Sequence, residues 1–163
     1  MNQKEIILEQ LKSMGFEPIN MPEVGYVFKY EEMNYLYMPE EDDEQFLRIV
    51  IPHLFEVTEE NRVAVLDAMH ETGLLLKYAK VCIMYGDTVW AIYEHRLCAA
   101  DNLSDLLEHI IRVLALSVYV FNKKINGEDV GRTSDESEEM TDDELEAEML
   151  KMLEGFGNED EEI

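Results

Sequence analysis

An α+β fold is predicted for this 163-residue sequence by three observations. Helical periodicity marks both ends of residues 1–127. Between them lie β-branched and aromatic runs joined by short polar turns, and one further helical stretch divides those runs three and two. The predicted order is α-β-β-β-α-β-β-α, an antiparallel sheet packed by helices. An acidic C-terminal tail with a short amphipathic helix follows.

Residues 3–14 place Ile6, Ile7, Leu8, Leu11 and Met14 at helical spacing, with Gly15 as the stop. Pro18 and Pro22 then break the chain. Gly25–Tyr30 and Tyr35–Met38 are aromatic-rich runs separated by the polar stretch 31–34, which reads as a hairpin. After the acidic loop 39–45, Phe46–Ile51 is a β-branched third strand closed by Pro52. Thr58 is placed to cap a second helix, with Glu59 and Glu60 in its first turn, Val63, Leu66 and Met69 along one side and Gly73 as its end. Lys80–Tyr85 and Thr88–His95 flank a two-residue Gly86-Asp87 loop. That loop would put Val81, Ile83, Trp90 and Ile92 on one face, and Cys82, Met84, Val89, Ala91 and Tyr93 on the other. Asn102 caps a long final helix that ends near Asn126-Gly127.

Charge divides the chain at the same place. The sequence carries 37 Asp and Glu against 13 Lys and Arg, a net charge of −24. Residues 128–163 hold 16 of the acids and only 2 of the bases. Residues 1–127 therefore read as the folded domain and 128–163 as an acidic tail. Within the tail, 128–140 has almost no apolar side chains to offset ordering entropy and reads as a flexible linker. Residues 141–156 open with the capping-box form Thr141-Asp-Asp-Glu144, and Leu145, Met149, Met152, Leu153 and Phe156 follow at helical spacing. Two readings of that helix stand: it docks on its own domain or frays, or it binds a partner or occludes the domain's own surface.

Several function classes are disfavoured. A nucleic-acid binder needs a basic stripe to release counterions, so no nucleic-acid partner is expected, and the same acidity opposes anionic membranes. The longest apolar run, Ile110–Phe121, contains Arg112 and is too short to span a bilayer, so no membrane partner is expected. The charged N-terminus does not read as a signal peptide, and a cytoplasmic location is the expectation. Cys82 and Cys98 form no zinc spacing and read as small buried hydrophobes or inert thiols.

No Walker A, GxGxxG, HExxH or GxSxG sequence is present, so no enzyme activity and no cofactor are expected. Asp67 and His70, and Asp105 and His109, share helical faces, but a metal centre needs three converging ligands. The cluster 40–44 lacks the alternating ligands and glycine of an EF-hand and reads as a solvated loop.

The hairpin Phe28-Lys-Tyr-Glu-Glu-Met-Asn-Tyr-Leu-Tyr37, the acidic loop before Phe46-Leu-Arg-Ile-Val-Ile-Pro52 and the helix Glu60-Asn-Arg-Val-Ala-Val-Leu-Asp-Ala68 carry a resemblance. So do the Lys80-Val81 hairpin and Asn102-Leu-Ser-Asp-Leu-Leu107. Over about residues 2–125 the chain resembles the YbjN-type family of bacterial sensory transduction regulators, whose fold is that of type III secretion chaperones. The resemblance implies a small, cytoplasmic, non-enzymatic, often dimeric domain. The long acidic tail departs from the minimal family pattern.

The functional expectation is a non-catalytic protein-binding module, chaperone-like or regulatory, acting as a homodimer that holds a protein segment. The apolar surplus of the last helix and the two-faced strands motivate the dimer. The side chains expected to meet a protein client or regulatory partner are Tyr26, Phe28, Tyr35, Tyr37, Trp90 and Tyr93, with Met149, Met152 and Phe156 of the tail. The alternative is an acidic antagonist or nucleic-acid mimic that sequesters a basic protein.

Overall fold

The computed structural model describes residues 2–127 and Ala147. The predicted linker 128–140 and the helix 141–156, with Met149, Met152 and Phe156, lie outside the described residues apart from Ala147, which is helical and exposed. The elements are α1 (Gln3–Ser13), β1 (Ile19–Met21), β2 (Gly25–Tyr30), β3 (Met33–Tyr37), β4 (Phe46–Glu56), α2 (Arg62–Leu75), β5 (Ala79–Met84), β6 (Thr88–Arg96) and α3 (Leu103–Ile125). The strands form one antiparallel sheet in the order β1-β2-β3-β4-β6-β5. The predicted α+β class and helix-packed antiparallel sheet therefore hold, with one strand more than expected.

That extra strand is β1, which pairs with β2 along Ile19↔Val27 to Met21↔Gly25. Pro18 and Pro22 flank it without entering it. Proline is tolerated at such an edge because no ladder donor is lost there. The third predicted strand also continues past Pro52. The four-residue step from Ile51 to Phe55 in β4 opposes the two-residue step from Ala91 to Val89 in β6. Pro52 and His53 fall in this bulge, where His53 takes φ 56° and the missing proline N–H costs no ladder bond.

The β5–β6 hairpin differs from expectation by one residue. Met84 faces Thr88, so the loop is Tyr85-Gly86-Asp87, with Gly86 and Asp87 both left-handed. The Val57 amide donates to the Asp87 carbonyl at 2.8 Å and holds this loop against the end of β4. A one-residue shift exchanges partners between faces. Val81 and Ile83 therefore share a face with Val89, Ala91 and Tyr93, while Cys82 and Met84 share the other with Trp90 and Ile92.

Helix boundaries follow their caps. Asn2 and Asn102 accept the amides of Glu5 and Asp105, at 2.9 and 3.2 Å, and open α1 and α3. Gly15, at φ 97°, ends α1. Thr58 and Asn61 exchange hydrogen bonds, each side-chain oxygen accepting the other's amide, but the regular turns of α2 begin at Arg62 and run through Gly73.

The face α2 buries is Val65, Ala68 and Thr72; of the predicted Val63, Leu66 and Met69, Met69 is half-buried and packs at the edge of this cluster, whereas Val63 and Leu66 are exposed. The reason is close approach to α3, whose Phe121 and Ile125 fill that space and leave room opposite for small residues. Thr72 satisfies its buried hydroxyl by donating to the Ala68 carbonyl at 2.6 Å.

The main core lies between α1, α3 and one sheet face. Ile7 and Leu11 of α1, and Leu107, Ile110, Ile111 and Leu114 of α3, pack on Phe28, Tyr35, Tyr37, Leu47, Ile49, Ile51 and Tyr93. Phe28 and Tyr35 stack at 5.3 Å and 12° across β2 and β3. A second cluster joins α2 and the end of α3 to Val57 and Val89 on the same face. Full burial of each such side chain contributes roughly 1.5–3 kcal/mol before entropy is counted.

Candidate functional site

All three helices cover one face of the sheet, which sorts the predicted contact residues. Phe28, Tyr35, Tyr37 and Tyr93 are buried on the helix side and build the core. Tyr26 is half-buried and stacks on Tyr37 at 6.2 Å. Trp90 points to the opposite face. Burial pushes the Tyr37 hydroxyl up to about 12, with Tyr26 adding to the shift. It raises Tyr35 further, reinforced by Glu31 and Tyr30.

The opposite face carries its own apolar cluster, drawn from strand residues and Met38 just beyond β3: Leu36, Val50, Trp90 and Ile92, flanked by Val27, Met38, Cys82 and Met84. The register aligns Ile19, Val27, Leu36, Val50 and Ile92 in one row across five strands, with Lys80 completing the row on β5. Trp90 donates its indole N–H to Thr88 Oγ1 at 2.9 Å, and His53 leans edge-on against its ring at 5.4 Å. At one end of the row, Arg48 donates through Nε and Nη2 to Glu94 Oε2, at 3.3 and 3.1 Å, while Lys80 pairs with Glu94 Oε1. Burial acts to raise the Glu94 carboxyl, but hydrogen bonds from Lys80 and Arg48 outweigh it and hold the group below its ordinary range.

The outer side of α2 is a second surface. Val63 and Leu74 are 72% and 73% exposed and Leu66 is 44% exposed, three large apolar side chains on one helix. Val63 and Leu66 are neighbours one turn apart, and Leu74 lies on the same side about two turns further along, beyond His70. The signal for this stripe was in the sequence: Val63, Val65, Leu66, Met69, Leu74, Leu75 and Leu76 exceed what one helix face can bury. Beyond the helix, exposed Tyr78 holds φ 71° and lays its ring beside Tyr93 and His109, at 6.2 and 5.1 Å.

A third surface is a cleft of about 540 Å³ between the start of α1, the β1–β2 corner and the loop 39–44. Glu23, Glu40, Glu41, Asp43 and Glu44 ring it, with Lys4 the single lining cation among the described residues, and Tyr26, Tyr37 and Phe46 give it aromatic walls. Carboxylates around aromatic faces favour a cationic group.

Chemistry is sparse by comparison. His95 Nε2 lies 3.1 Å from Asp101 Oδ2, and Asp101 also accepts the Cys98 amide at 2.8 Å. The Cys98 amide, then His95, holds the Asp101 carboxyl below its ordinary range. These bonds close the turn between β6 and α3. Cys98 is exposed rather than buried as predicted, whereas Cys82 is half-buried in the open-face cluster. His109 shares a hydrogen bond with the Tyr93 hydroxyl at 3.3 Å; burial, with Arg112 and His95, lowers its pKa. Among the described residues, no three His, Cys, Asp or Glu converge as metal ligands, and no helix is long and apolar enough to cross a membrane.

No protein-family model and no curated protein matches the chain. It is similar to a solved structure, that of an uncharacterized protein from Methanothermobacter thermautotrophicus, with a TM-score of 0.52 and 11% sequence identity. The match covers 77% of this chain and 97% of the other. At that identity the likeness concerns the fold alone.

Proposed function

We propose that the chain is a non-catalytic, YbjN-type protein-binding module, chaperone-like or regulatory, that works in the cytoplasm as a homodimer holding a protein segment. The observation that carries this reading is the exposed apolar stripe Val63, Leu66 and Leu74 on α2, set in a strongly acidic chain. Large apolar side chains grouped on one helix mark an interaction surface. A two-fold contact through it would bury six such side chains, on the order of 10 kcal/mol. Association itself costs roughly 4–15 kcal/mol, so a dimer of moderate affinity is expected. Light scattering on the full chain over a dilution series tests this. A dimer that Leu66→Asp with Leu74→Asp converts to a monomer of unchanged circular dichroism supports the reading; a monomer at every concentration removes the homodimer.

The acidic, aromatic-walled cleft favours a second reading, in which the chain sequesters a basic protein in competition with nucleic acid. Surface attraction of that kind is screened within about 8–10 Å at physiological salt. Affinity purification at low and high salt separates the two readings. A client retained at high salt belongs to an apolar site, and a basic partner lost on raising salt belongs to the cleft or the tail.

A further inference from the structure

We infer that residues 141–156 of the tail fold back as a helix onto the open face of the sheet and cover Trp90. The first ground is burial. Val50 is fully buried, and Leu36, Ile92 and Trp90 are 3%, 4% and 7% exposed, although the three described helices all pack on the other side of the sheet. Side chains standing on a bare sheet face keep one side open to water, and a tryptophan keeps the most. Something must lie over these four side chains.

The second ground is fit. The covered part of the row, from Val27 to Ile92, crosses three strand spacings, about 14 Å at roughly 4.8 Å each, while Ile19 beyond it is exposed. The stripe Leu145, Met149, Met152, Leu153 and Phe156 spans eleven residue steps, about 17 Å as a helix. Its apolar groups therefore match the covered length. Methionine is suited to the uneven floor made by Met38, Cys82, Met84 and Trp90.

Reach and charge agree. The described domain ends at Gly127, just past α3, and residues 128–140 extend to roughly 40 Å. Passing from the helix layer to the other side of the sheet takes about 20 Å, two layer spacings of about 10 Å. In an otherwise acidic domain this face presents Lys29, Arg48 and Lys80, the last two gathered around Glu94. The tail helix brings Asp142, Asp143, Glu144, Glu146 and Glu148 in its first half. Opposite charges around an apolar strip fix the orientation of the contact more than its strength.

Trp90 is the chain's single tryptophan, so its fluorescence reports on this face alone. The test is acrylamide quenching of the full chain against the full chain carrying Met149→Asp and Met152→Asp, substitutions that leave the described core untouched. The expected result is a several-fold larger quenching constant and a red-shifted emission in the variant, independent of protein concentration. Equal protection in both proteins, or protection of the unmodified chain that disappears on dilution because a second copy supplies the cover, overturns the inference. So does a Trp90 already exposed in the unmodified chain. A second measurement uses the native thiol on this face. In full chains with Cys98→Ser and either Met149→Cys or Met152→Cys, mild oxidation should form an intrachain disulfide to Cys82. Failure of both to cross-link overturns the placement. Neither readout needs a client, so the outcome is separate from that of the protein-binding reading.

Discussion

The Tyr35 hydroxyl donates to the main-chain carbonyl of Ile111 at 3.2 Å, joining the third strand to the middle of the last helix. The two residues are 76 positions apart, and both are buried. Mid-helix carbonyls already accept an amide four residues on, so this bond uses the second lone pair of the oxygen. Tyr35→Phe keeps the ring stacked on Phe28 and removes only the bond, for an expected loss of about 1 kcal/mol. Tyr35→Ala also removes the ring and should cost about 3–5 kcal/mol. Urea denaturation of the two variants checks the difference.

Tyr35 and Tyr37 set the alkaline limit of stability. Both have folded-state pKa values raised above the ordinary 10 by burial, Tyr37 to about 12. Their stabilising effect is fully present below pH 10. It is lost as pH rises from 10 toward 12, because the unfolded chain ionises first. Absorbance at 295 nm during a pH titration should show these two tyrosines ionising together with loss of circular dichroism; early, independent ionisation would contradict the burial.

Gly25 is held at φ 150°, and a Cβ there would overlap the Tyr37 carbonyl oxygen of the neighbouring strand. Gly25→Ala must push β2 from β3 at the corner that also supports β1 and the acidic cleft. A loss on the order of 1–3 kcal/mol is expected, and hydrogen exchange should show it concentrated in residues 19–27 and 36–38. Gly15→Ala meets no neighbouring atom but is strained by its φ of 97°, so its cost should be confined to the end of α1.

Glu94 receives both Arg48 and Lys80, and its pKa is lowered as a result. Its stabilising effect is present above its unfolded value near 4.5 and is lost as pH falls through the lower folded value. Glu94→Gln leaves two cations without their shared counter-charge. A cost of about 1 kcal/mol at pH 7 is expected, given the partial exposure of all three groups. The cost should shrink as acid protonates the native carboxyl, on the acid side of 4.5, as thermal melts over a falling pH series would show.

The elements whose signals are local were legible in the sequence. Asn2 and Asn102 with their caps, Gly15 as a stop and the aromatic runs around 31–34 each act within a few residues, so α1 and α3 stand where periodicity puts them and the β2–β3 hairpin forms. Its turn, however, is only Glu31-Glu32, both left-handed, with Met33 and Asn34 already in β3. The β5–β6 hairpin register was set by distant contacts. At Gly86-Asp87, two- and three-residue loops are both compatible with the sequence, and only the Val57 amide on Asp87 and the fit of Val81 and Ile83 against α2 select the longer one. The choice moved Trp90 from the company of Val81 and Ile83 to that of Cys82 and Met84.

Two of the candidate surfaces depended on the same kind of information. Apolar residues occur all around α2, and the bulk of Phe121 and Ile125 decides that Val65, Ala68 and Thr72 turn inward and Val63, Leu66 and Leu74 outward. Phe28, Tyr35, Tyr37 and Tyr93 read as contact residues because aromatic composition does not say which sheet face a helix will cover.

By itself the sequence determined the α+β class, most of the helix and strand positions and the separation of the acidic tail, because periodicity, caps and charge are properties of short stretches. Tertiary structure alone decided the strand order β1-β2-β3-β4-β6-β5, the hairpin register and which apolar faces remain outside the helix layer. Those follow from packing between residues far apart in the chain, where a shift of one position or one side-chain volume changes what is buried.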